Sequence, residues 1–513
     1  MNNFITNIID NDIKNGLSIK NIKFRFPPEP NGFLHLGHIK SLYINFTLAK
    51  KYNSKIYLRF EDTNPNNINI KYINQIIKNI KWLGFKYNKI TYISNYFNLL
   101  YKWAKILIIK QKAYIQKIYN NKIYNINDID KNLFIFKNMK NGKYKENSYI
   151  LRAKINNNSP NFYLNDPIMY RIINKKHLFT KDKWCIYPTY DWAHGQSDYI
   201  EKISHSLCSI EFQNHKPLYE WFINQIYNKN FNSIKPKQIE FSRLNLSQTI
   251  TSKRQINILK NKKIISNFCD PRLCTITSFK KKGYNSKYII NFIKKLGYTK
   301  RNNNINIKTL ELYIKNKIIN KSPKLLVIIN PIKLTIINIP KYYIEWIYIY
   351  NKKNYPKYKV IPFTKTIYID KNDFKDYYDK NFFRLSFNNY VRLKYSYIIK
   401  IFKIVKNNNN IKKIYCKIYN YNTIKNNKIK STIQWVSCKY YTKINIILYN
   451  YIYFKNKNII NKNSLKYISV YGDISINNIN LYNIYQFHRI GFFYFFKIIN
   501  NIFYFKKLFF LNP

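Results

Sequence analysis

The sequence predicts a multidomain α/β protein that opens on a parallel sheet and closes in all-β barrels. Three observations carry this. The first 84 residues alternate between strand-like and helix-like apolar spacing. Residues 254–320 are dominated by helical spacing. Past Pro323 the chain becomes a series of short β-runs parted by Asn- and Lys-rich loops. With 513 residues and 46% hydrophobic content, the chain is long enough for several domains, each with its own core.

"NIKFRF" (Asn21–Phe26) alternates like a strand, and Pro27, Pro28 and Pro30 forbid regular structure directly after it. From His35 onward Leu36, Ile39, Leu42, Tyr43 and Phe46 recur at helical spacing. "SKIYLRFED" alternates again through Ile56, Leu58 and Phe60. A helix with Ile73, Ile76, Ile77 and Ile80 on one face follows, closed by Gly84. Strand, helix, strand, helix is the start of a parallel α/β sheet, whose ligands sit beyond the carboxyl ends of the strands. The loop before His35 and the pair Glu61–Asp62 both fall there.

The lysine-rich stretch 105–182 breaks the alternation and reads as an insertion. "WCIYPTYDW" and "IEFSRLNL" read as strands. Beyond the helical segment, "LLVIINPIKLTII", "TIYID", "YVRLKYSYIIKIFKIV" and "STIQWVS" read as barrel or sandwich strands, and "KNNNNIKK" (406–413) as a loop. The aromatic tail "GFFYFFKIINNIFYFKKLFF" is interrupted by Lys497, Lys506 and Lys507, which favours buried strands over a membrane anchor.

Lys and Arg total 89 against 24 Asp and Glu, a net charge of +65. The sign points to a polyanion, most often nucleic acid. The size is inflated by a composition rich in Asn, Lys, Ile, Tyr and Phe, residues with A- and T-rich codons. Six cysteines, at 185, 208, 269, 274, 416 and 438, form no C-x-x-C pair and read as free thiols of a reducing compartment. The opening "MNNFITNIIDNDIKNG" carries Asp10 and Asp12 and no apolar core, so it does not read as a secretion signal.

Only ten glycines occur in the chain, yet Gly32 and Gly37 share one short stretch with His35 and His38. A metal site there lacks a third ligand. A plain turn accounts for Asn31–Gly32 but not for Gly37 in a first helical turn, where glycine costs about 0.5–1 kcal/mol against alanine. Close approach of a phosphate to a helix start accounts for both, with the imidazoles donating to the same oxygens.

"PPEPNGFLHLGH" resembles the HIGH motif of the class I aminoacyl-tRNA synthetases, in the form used by their glutaminyl/glutamyl subclass. "FSRLNLSQTITSKR" (Phe241–Arg254) resembles the second signature of that family, a lysine loop that reaches the ATP phosphates. "LRFEDTNP", "KWCIYPTYDWAH", "SHSLCSIEFQN", "DPRLCTI", "IPFTKTIYIDKNDF" and "YQFHRIGF" are similar to further segments of the subclass, in its order.

The resemblance implies a fold and its division. It implies a Rossmann-type catalytic domain split between 1–104 and 183–253, with an acceptor-stem-binding domain inserted at 105–182. A helical connecting subdomain at 254–320 and two anticodon-binding β-barrels at 321–513 follow. It also implies ATP with Mg²⁺, L-glutamine and tRNA(Gln) as partners, and a monomer acting in the cytoplasm.

Roles carry over by position. His35, His38 and Lys253 are the implied catalytic residues. Glu29, Pro30, Asn31, Gly37, Ile39, Lys40 and Ser41 complete the ATP contacts on the first motif, and Ser209, Arg243, Leu244, Thr251 and Ser252 those further along. Glu61, Tyr190, His194, Cys208 and Gln238 are the implied glutamine contacts. Cys208 stands where glutamyl enzymes show arginine, and a site for a neutral amide would leave a buried arginine unpaired. The alternative is a glutamyl or non-discriminating enzyme of the same subclass. Asn214, Lys324, Arg384, Arg392, Lys394, Gln486 and Arg489 are the implied tRNA contacts.

The chain departs from the family pattern at Glu61 (usually Asp), Thr251 (usually Met), Asn214 (often acidic), and Lys324 and Lys394 (arginines). Lysine lacks the planar fork of arginine, so base reading at those two positions is expected to be looser.

Overall fold

The computed structural model describes residues 3–120, 122–156, 158–228, 230–231, 234–247, 249–250, 252–301, 303–350, 358–377, 379, 381–387, 389–407, 410–420, 429–453 and 459–511. These form two compact units. One takes in residues 1–268, 274–277 and 289–307, and the other 269–273, 278–288 and 308–513.

The first unit opens with α1 (Phe4–Lys14), whose first turn is capped by the Asn3 side chain accepting from the Ile5 and Thr6 N–H groups. β1 (Lys23–Phe26), α2 (Leu36–Lys51), β2 (Lys55–Phe60), α3 (Ile70–Trp82) and β3 (Lys89–Tyr92) follow in the expected alternation. β1 pairs in parallel with β2 (Phe24↔Ile56, Phe26↔Leu58), and β2 with β3. Ile73, Ile76 and Ile80 bury one face of α3, and Gly84 takes the left-handed conformation that ends it (φ +85°).

α4 (Phe97–Ile109) leads into β4 (Ala113–Tyr119), β5 (Lys122–Ile126), α5 (Ile129–Lys140), β6 (Tyr149–Ala153), β7 (Ile168–Ile172) and β8 (Ile186–Pro188). These strands make one antiparallel sheet in the order β5-β4-β6-β7-β8, over a core that includes Phe136, Met139, Leu151 and Met169.

The stretch "WCIYPTYDW" is a strand only over β8. From Tyr190 it turns into α6 (Tyr190–Ile200). Pro188 ends the strand, extended Thr189 serves as N-cap, and Asp191 sits in the first helical turn, where a negative charge is favoured.

β9 (His205–Ser209), α7 (Lys216–Ile226) and β10 (Lys237–Phe241) come next, with β9 and β10 parallel. Lys23 N–H donates to Ser204 Oγ (3.0 Å) and Ser204 N–H to the Lys23 carbonyl (3.2 Å), which sets β9 alongside β1. β11 (Leu244–Ser247) and α8 (Lys253–Asn261) follow, and β11 pairs in parallel with β12 (Asn303–Asn306).

The second unit holds two seven-stranded, barrel-like sheets. One is built from residues 331–437. The other joins the short strands Lys324–Leu325 and Val327–Ile328 to strands between Tyr441 and Phe510, so in sequence it encloses its neighbour. The aromatic tail forms the strands Gly491–Ile499 and Ile502–Phe510, with Phe492, Phe493, Phe495 and Phe505 fully buried. Its lysines are accommodated: Lys507 is buried with Nζ donating to Asn450 Oδ1 (2.8 Å), and Lys506 lies 4.1 Å above the Phe496 ring.

The expected loop at 406–413 is instead mostly strand. Lys406 pairs with Ile411 and Asn407 with Asn410 at the end of a hairpin, while residues 408–409 lie outside the described residues. Polar composition favoured a loop, but long flanking apolar strands carry the ladder through it. Among the described residues no helix is long and apolar enough to cross a membrane.

Candidate active site

The loop after β1 ends on His35, the N-cap of α2. His35 Nδ1 accepts the Gly37 N–H (3.1 Å), and His38 Nδ1 accepts the His35 N–H (3.1 Å). The two rings lie 4.0 Å apart. Burial, then the Arg243 charge, pushes His35 down to about 4; burial, His35 and Arg243 push His38 well below its ordinary value. Both rings are therefore neutral near pH 7. Since each Nδ1 accepts a backbone hydrogen, each hydrogen sits on Nε2, leaving two uncharged donors at a helix start.

The space a side chain at Gly37 would need is taken by the chain itself. A Cβ there would lie 2.9 Å from His35 Cε1 and 3.3 Å from the Leu244 carbonyl. Glycine thus lets the His35 ring fold over the helix start while β11 comes close.

The other expected nucleotide contacts are spread around this point. Glu29 is exposed and accepts from Asn67 Nδ2 (3.4 Å); Pro30 is buried, its carbonyl held by Asn69 N–H (3.2 Å); Asn31 and Ser41 are half-buried. Ser209 and Arg243 converge on Glu211. Ile39 is fully buried, and Lys40 is buried with its ammonium on Ser242 Oγ (2.6 Å), so both side chains serve the fold. Ser252 and Lys253 are exposed at the start of α8, and Thr251 lies outside the described residues.

Beyond the end of β2, Glu61 is buried. Its Oε1 is shared by His194 Nδ1 (3.0 Å) and Arg59 Nη2 (3.4 Å), and its Oε2 is buried without a hydrogen-bond partner among the described residues. The helical geometry of α6 stacks Tyr190 on His194 one turn later, with centroids 4.8 Å apart. Phe212 flanks Tyr190 at 5.5 Å. Gln238 donates through Nε2 to the Phe212 carbonyl and to Glu240 Oε1, each at 3.0 Å. Burial pushes the Cys208 thiol up to about 12 and the Tyr190 hydroxyl well above its ordinary value, so both stay neutral.

Sequence reasoning missed the charges beneath this pocket. Arg25 of β1 and Arg59 of β2 are fully buried on the face opposite Phe24, Phe26, Leu58 and Phe60. Arg59 meets Asp198 (2.8 Å), Glu201 (3.2 Å) and Glu61 (3.4 Å); Arg25 meets Asp198 (3.2 Å), Ser206 Oγ (2.6 Å) and His194 Nε2 (2.7 Å). Arg25 donates to His194 Nε2, while Nδ1 faces both Glu61 Oε1 (3.0 Å) and Arg59 Nη2 (3.3 Å). An arginine in mid-strand, on a sheet covered on both faces, was the readable signal.

In the second unit, Arg392 and Lys394 line a cavity of about 470 Å³ with Tyr395, Tyr397, Tyr419 and Thr432. Lys324 sits opposite Gln486 across parallel strands, and buried Gln486 Oε1 has no hydrogen-bond partner among the described residues. Arg489, in the left-handed region (φ +61°), and Arg384 both reach Asp373. His488 is pushed down to about 4 by burial and then by Lys394, Lys324, Arg489 and Lys359, which marks these cations as one cluster. Asn214 belongs to the first unit, where it is exposed and its carbonyl accepts from Asn161 Nδ2 (2.8 Å).

The sequence matches the family described as tRNA synthetases class I (E and Q), catalytic domain, over residues 21–320. It matches that family's anti-codon binding domain over residues 322–419 and again over 432–495. A glutamine–tRNA ligase of Buchnera aphidicola subsp. Baizongia pistaciae (strain Bp) is 42% identical over 526 residues, covering 96% of this chain and 94% of that protein. Glutamine–tRNA ligases of Buchnera aphidicola subsp. Schizaphis graminum (strain Sg), 43% identical over 89% of this chain and 84% of theirs, and Clostridioides difficile (strain 630), 40% over 85% and 82%, are similar. Likeness of that extent, through the catalytic and anticodon-binding regions alike, makes this chain a member of the class I tRNA synthetases of the E and Q group.

Proposed function

We propose that the chain is a glutamine–tRNA ligase. The carboxylate of L-glutamine attacks the α-phosphorus of ATP, giving glutaminyl-adenylate and pyrophosphate. The terminal 2′-OH of tRNA(Gln) then attacks the acyl carbon and AMP leaves, with no covalent enzyme intermediate.

The observation that carries this reading is the partnerless Oε2 of Glu61. A buried carboxylate oxygen without a partner, one strand over from two neutral imidazole donors, fits an α-ammonium beside a nucleotide phosphate. Both buried arginines of the pocket are committed to carboxylates, so the neutral thiol of Cys208 and hydroxyl of Tyr190 suit an amide better than a second carboxylate. His35 and His38 would donate to phosphate oxygens, and Lys253 would supply positive charge as the pentavalent phosphorus forms.

Among the described residues no group of three or more His, Cys, Asp or Glu side chains is arranged to hold a metal ion. The described residues do not build a site of their own for Mg²⁺, which would enter with ATP and add positive charge at its phosphates. We assign residues 1–104 with 183–253 to catalysis, 105–182 to the acceptor stem, 254–320 to the helical connection and 321–513 to the anticodon. Glu29, Pro30, Asn31, Ser209, Arg243, Leu244, Thr251 and Ser252 are assigned to ATP, and Asn214, Lys324, Arg384, Arg392, Lys394, Gln486 and Arg489 to tRNA. A tRNA partner supports a cytoplasmic enzyme, proposed as a monomer.

Charging of tRNA(Gln) with labelled glutamine and glutamate, side by side, tests the reading. Glutamine alone is expected to be attached; attachment of glutamate instead would identify a glutamyl or non-discriminating glutamyl enzyme. Lys253→Ala is expected to lower adenylate formation by about 10²–10³-fold, and an unchanged rate would remove Lys253 from the mechanism.

A further inference from the structure

The turn that carries Glu61 is pinned at both ends. Glu61 N–H donates to the Pro28 carbonyl (3.1 Å). The Asp62 carboxylate accepts from the N–H (2.9 Å) and hydroxyl (2.6 Å) of Ser94. The carbonyl of Asp62, a residue with no solvent exposure, is met by His177 Nε2 at 2.8 Å. His177 comes from the segment between β7 and β8, and in the stretch 174–183 it is the one buried residue.

Its ring is oriented from every side. Nδ1 accepts the N–H groups of Phe179 (3.2 Å) and Thr180 (3.3 Å), so the neutral ring carries its hydrogen on Nε2 and donates it to Asp62. The ring stacks on Tyr187 (5.9 Å, 26°) and meets Phe97 edge-on (5.6 Å, 65°). Backbone hydrogen bonds in both directions between His177 and Lys181 (3.1 and 3.0 Å) close the loop behind it.

We propose that His177 is a positioning residue for the amino-acid pocket, its hydrogen bond to the Asp62 carbonyl fixing the turn that aims the Glu61 carboxylate at the substrate ammonium. The proposal rests on the reading of Glu61 as the ammonium acceptor. Glutamate has three rotatable bonds, and β2 has already ended at Phe60, so the ladder no longer fixes the backbone here. His177 supplies that restraint from an element 115 residues further along the chain.

The test is steady-state charging by the full chain with tRNA(Gln), measuring KM for glutamine and for ATP separately. His177→Phe keeps the ring and loses the donor; His177→Gln keeps a donor at similar reach. The Phe variant is expected to raise KM for glutamine roughly 5- to 20-fold, with KM for ATP within about twofold, and the Gln variant to recover most of the loss. Should the Phe variant fail to fold, His177→Asn, whose donor falls short of the carbonyl, takes its place. An unchanged KM for glutamine, a parallel rise in KM for ATP, or a Gln variant as impaired as Phe would each overturn the proposal. Glu61→Gln separates the two claims. If it raises KM for glutamine while His177→Phe does not, only the positioning role falls; if it leaves KM unchanged, the ammonium reading falls and takes the proposal with it.

Discussion

Asp198 beneath the amino-acid pocket and Asp373 in the second unit are each clasped by two arginines, yet their carboxyls shift in opposite directions. The distances are alike: 3.2 and 2.8 Å from Arg25 and Arg59 to Asp198, 2.9 and 3.2 Å from Arg384 and Arg489 to Asp373. Burial raises the pKa of both aspartates. At Asp198 the arginines override burial and hold the carboxyl well below its ordinary range; at Asp373 burial wins and the carboxyl stays above it. What differs is the water around the guanidiniums. Arg25 and Arg59 are at most 1% exposed, against 40% for Arg384 and 31% for Arg489. Screening weakens the outer pairs and spares the inner ones. The inner pairs hold a shape, and the outer cations stay partly in water.

The largest effect that can break this contrast is on stability. Asp198→Asn leaves two buried guanidiniums short of a counter-charge and is expected to cost about 3–5 kcal/mol, with loss of charging activity. Asp373→Asn is expected to cost under about 1 kcal/mol. The signs of the pH effects also differ. A depressed folded pKa at Asp198 means stability that is present above the ordinary carboxylate range and lost in acid. A raised one at Asp373 means a contribution that grows as pH falls through the folded value. Urea denaturation of the two full-length variants measures the difference, and equal losses would erase it.

The same contrast marks what could be read from sequence. Apolar spacing predicted α2 and α3 because their buried faces are local: Ile73, Ile76 and Ile80 repeat within three turns. Two scarce glycines beside two histidines singled out the loop that leads into α2. Neither signal exists for Asp198, which meets Arg25 from 173 residues away, or for His177, which meets Asp62 from 115. Such pairs are made by tertiary packing, where α6 meets β1 and the segment between β7 and β8 meets the turn after β2, not by spacing along the chain. The same limit hid α6. "YPTYDW" is rich in strand-forming aromatics, and the helix is signalled only by Pro188, Thr189 and Asp191. Lys40 shows the converse: the family resemblance implies an ATP contact there, while the fold buries its ammonium on Ser242.

The smallest expected effect sharpens the contrast from the outer side. Lys394 is half-buried, its N–H donating to the Ile433 carbonyl (2.9 Å) and its carbonyl accepting from Trp435 Nε1 (2.9 Å), so the backbone is fixed. Its ammonium lies 4.7 Å above the Tyr395 ring, at the edge of the cavity it shares with Arg392. A point charge there attracts any phosphate or base edge, whereas a guanidinium offers a planar fork with direction. Lys394→Arg keeps the charge and adds only that direction. It is expected to raise kcat/KM for tRNA(Gln) roughly two- to fivefold and to widen the gap against anticodon-loop variants, with KM for glutamine unchanged. Because the charge is conserved, the salt dependence of tRNA binding should keep its slope. A changed slope, or a gain that is equal for every anticodon variant, would mean that exposed cations here act through charge alone, and the geometry that distinguishes Arg25 and Arg59 would have no counterpart in the barrels.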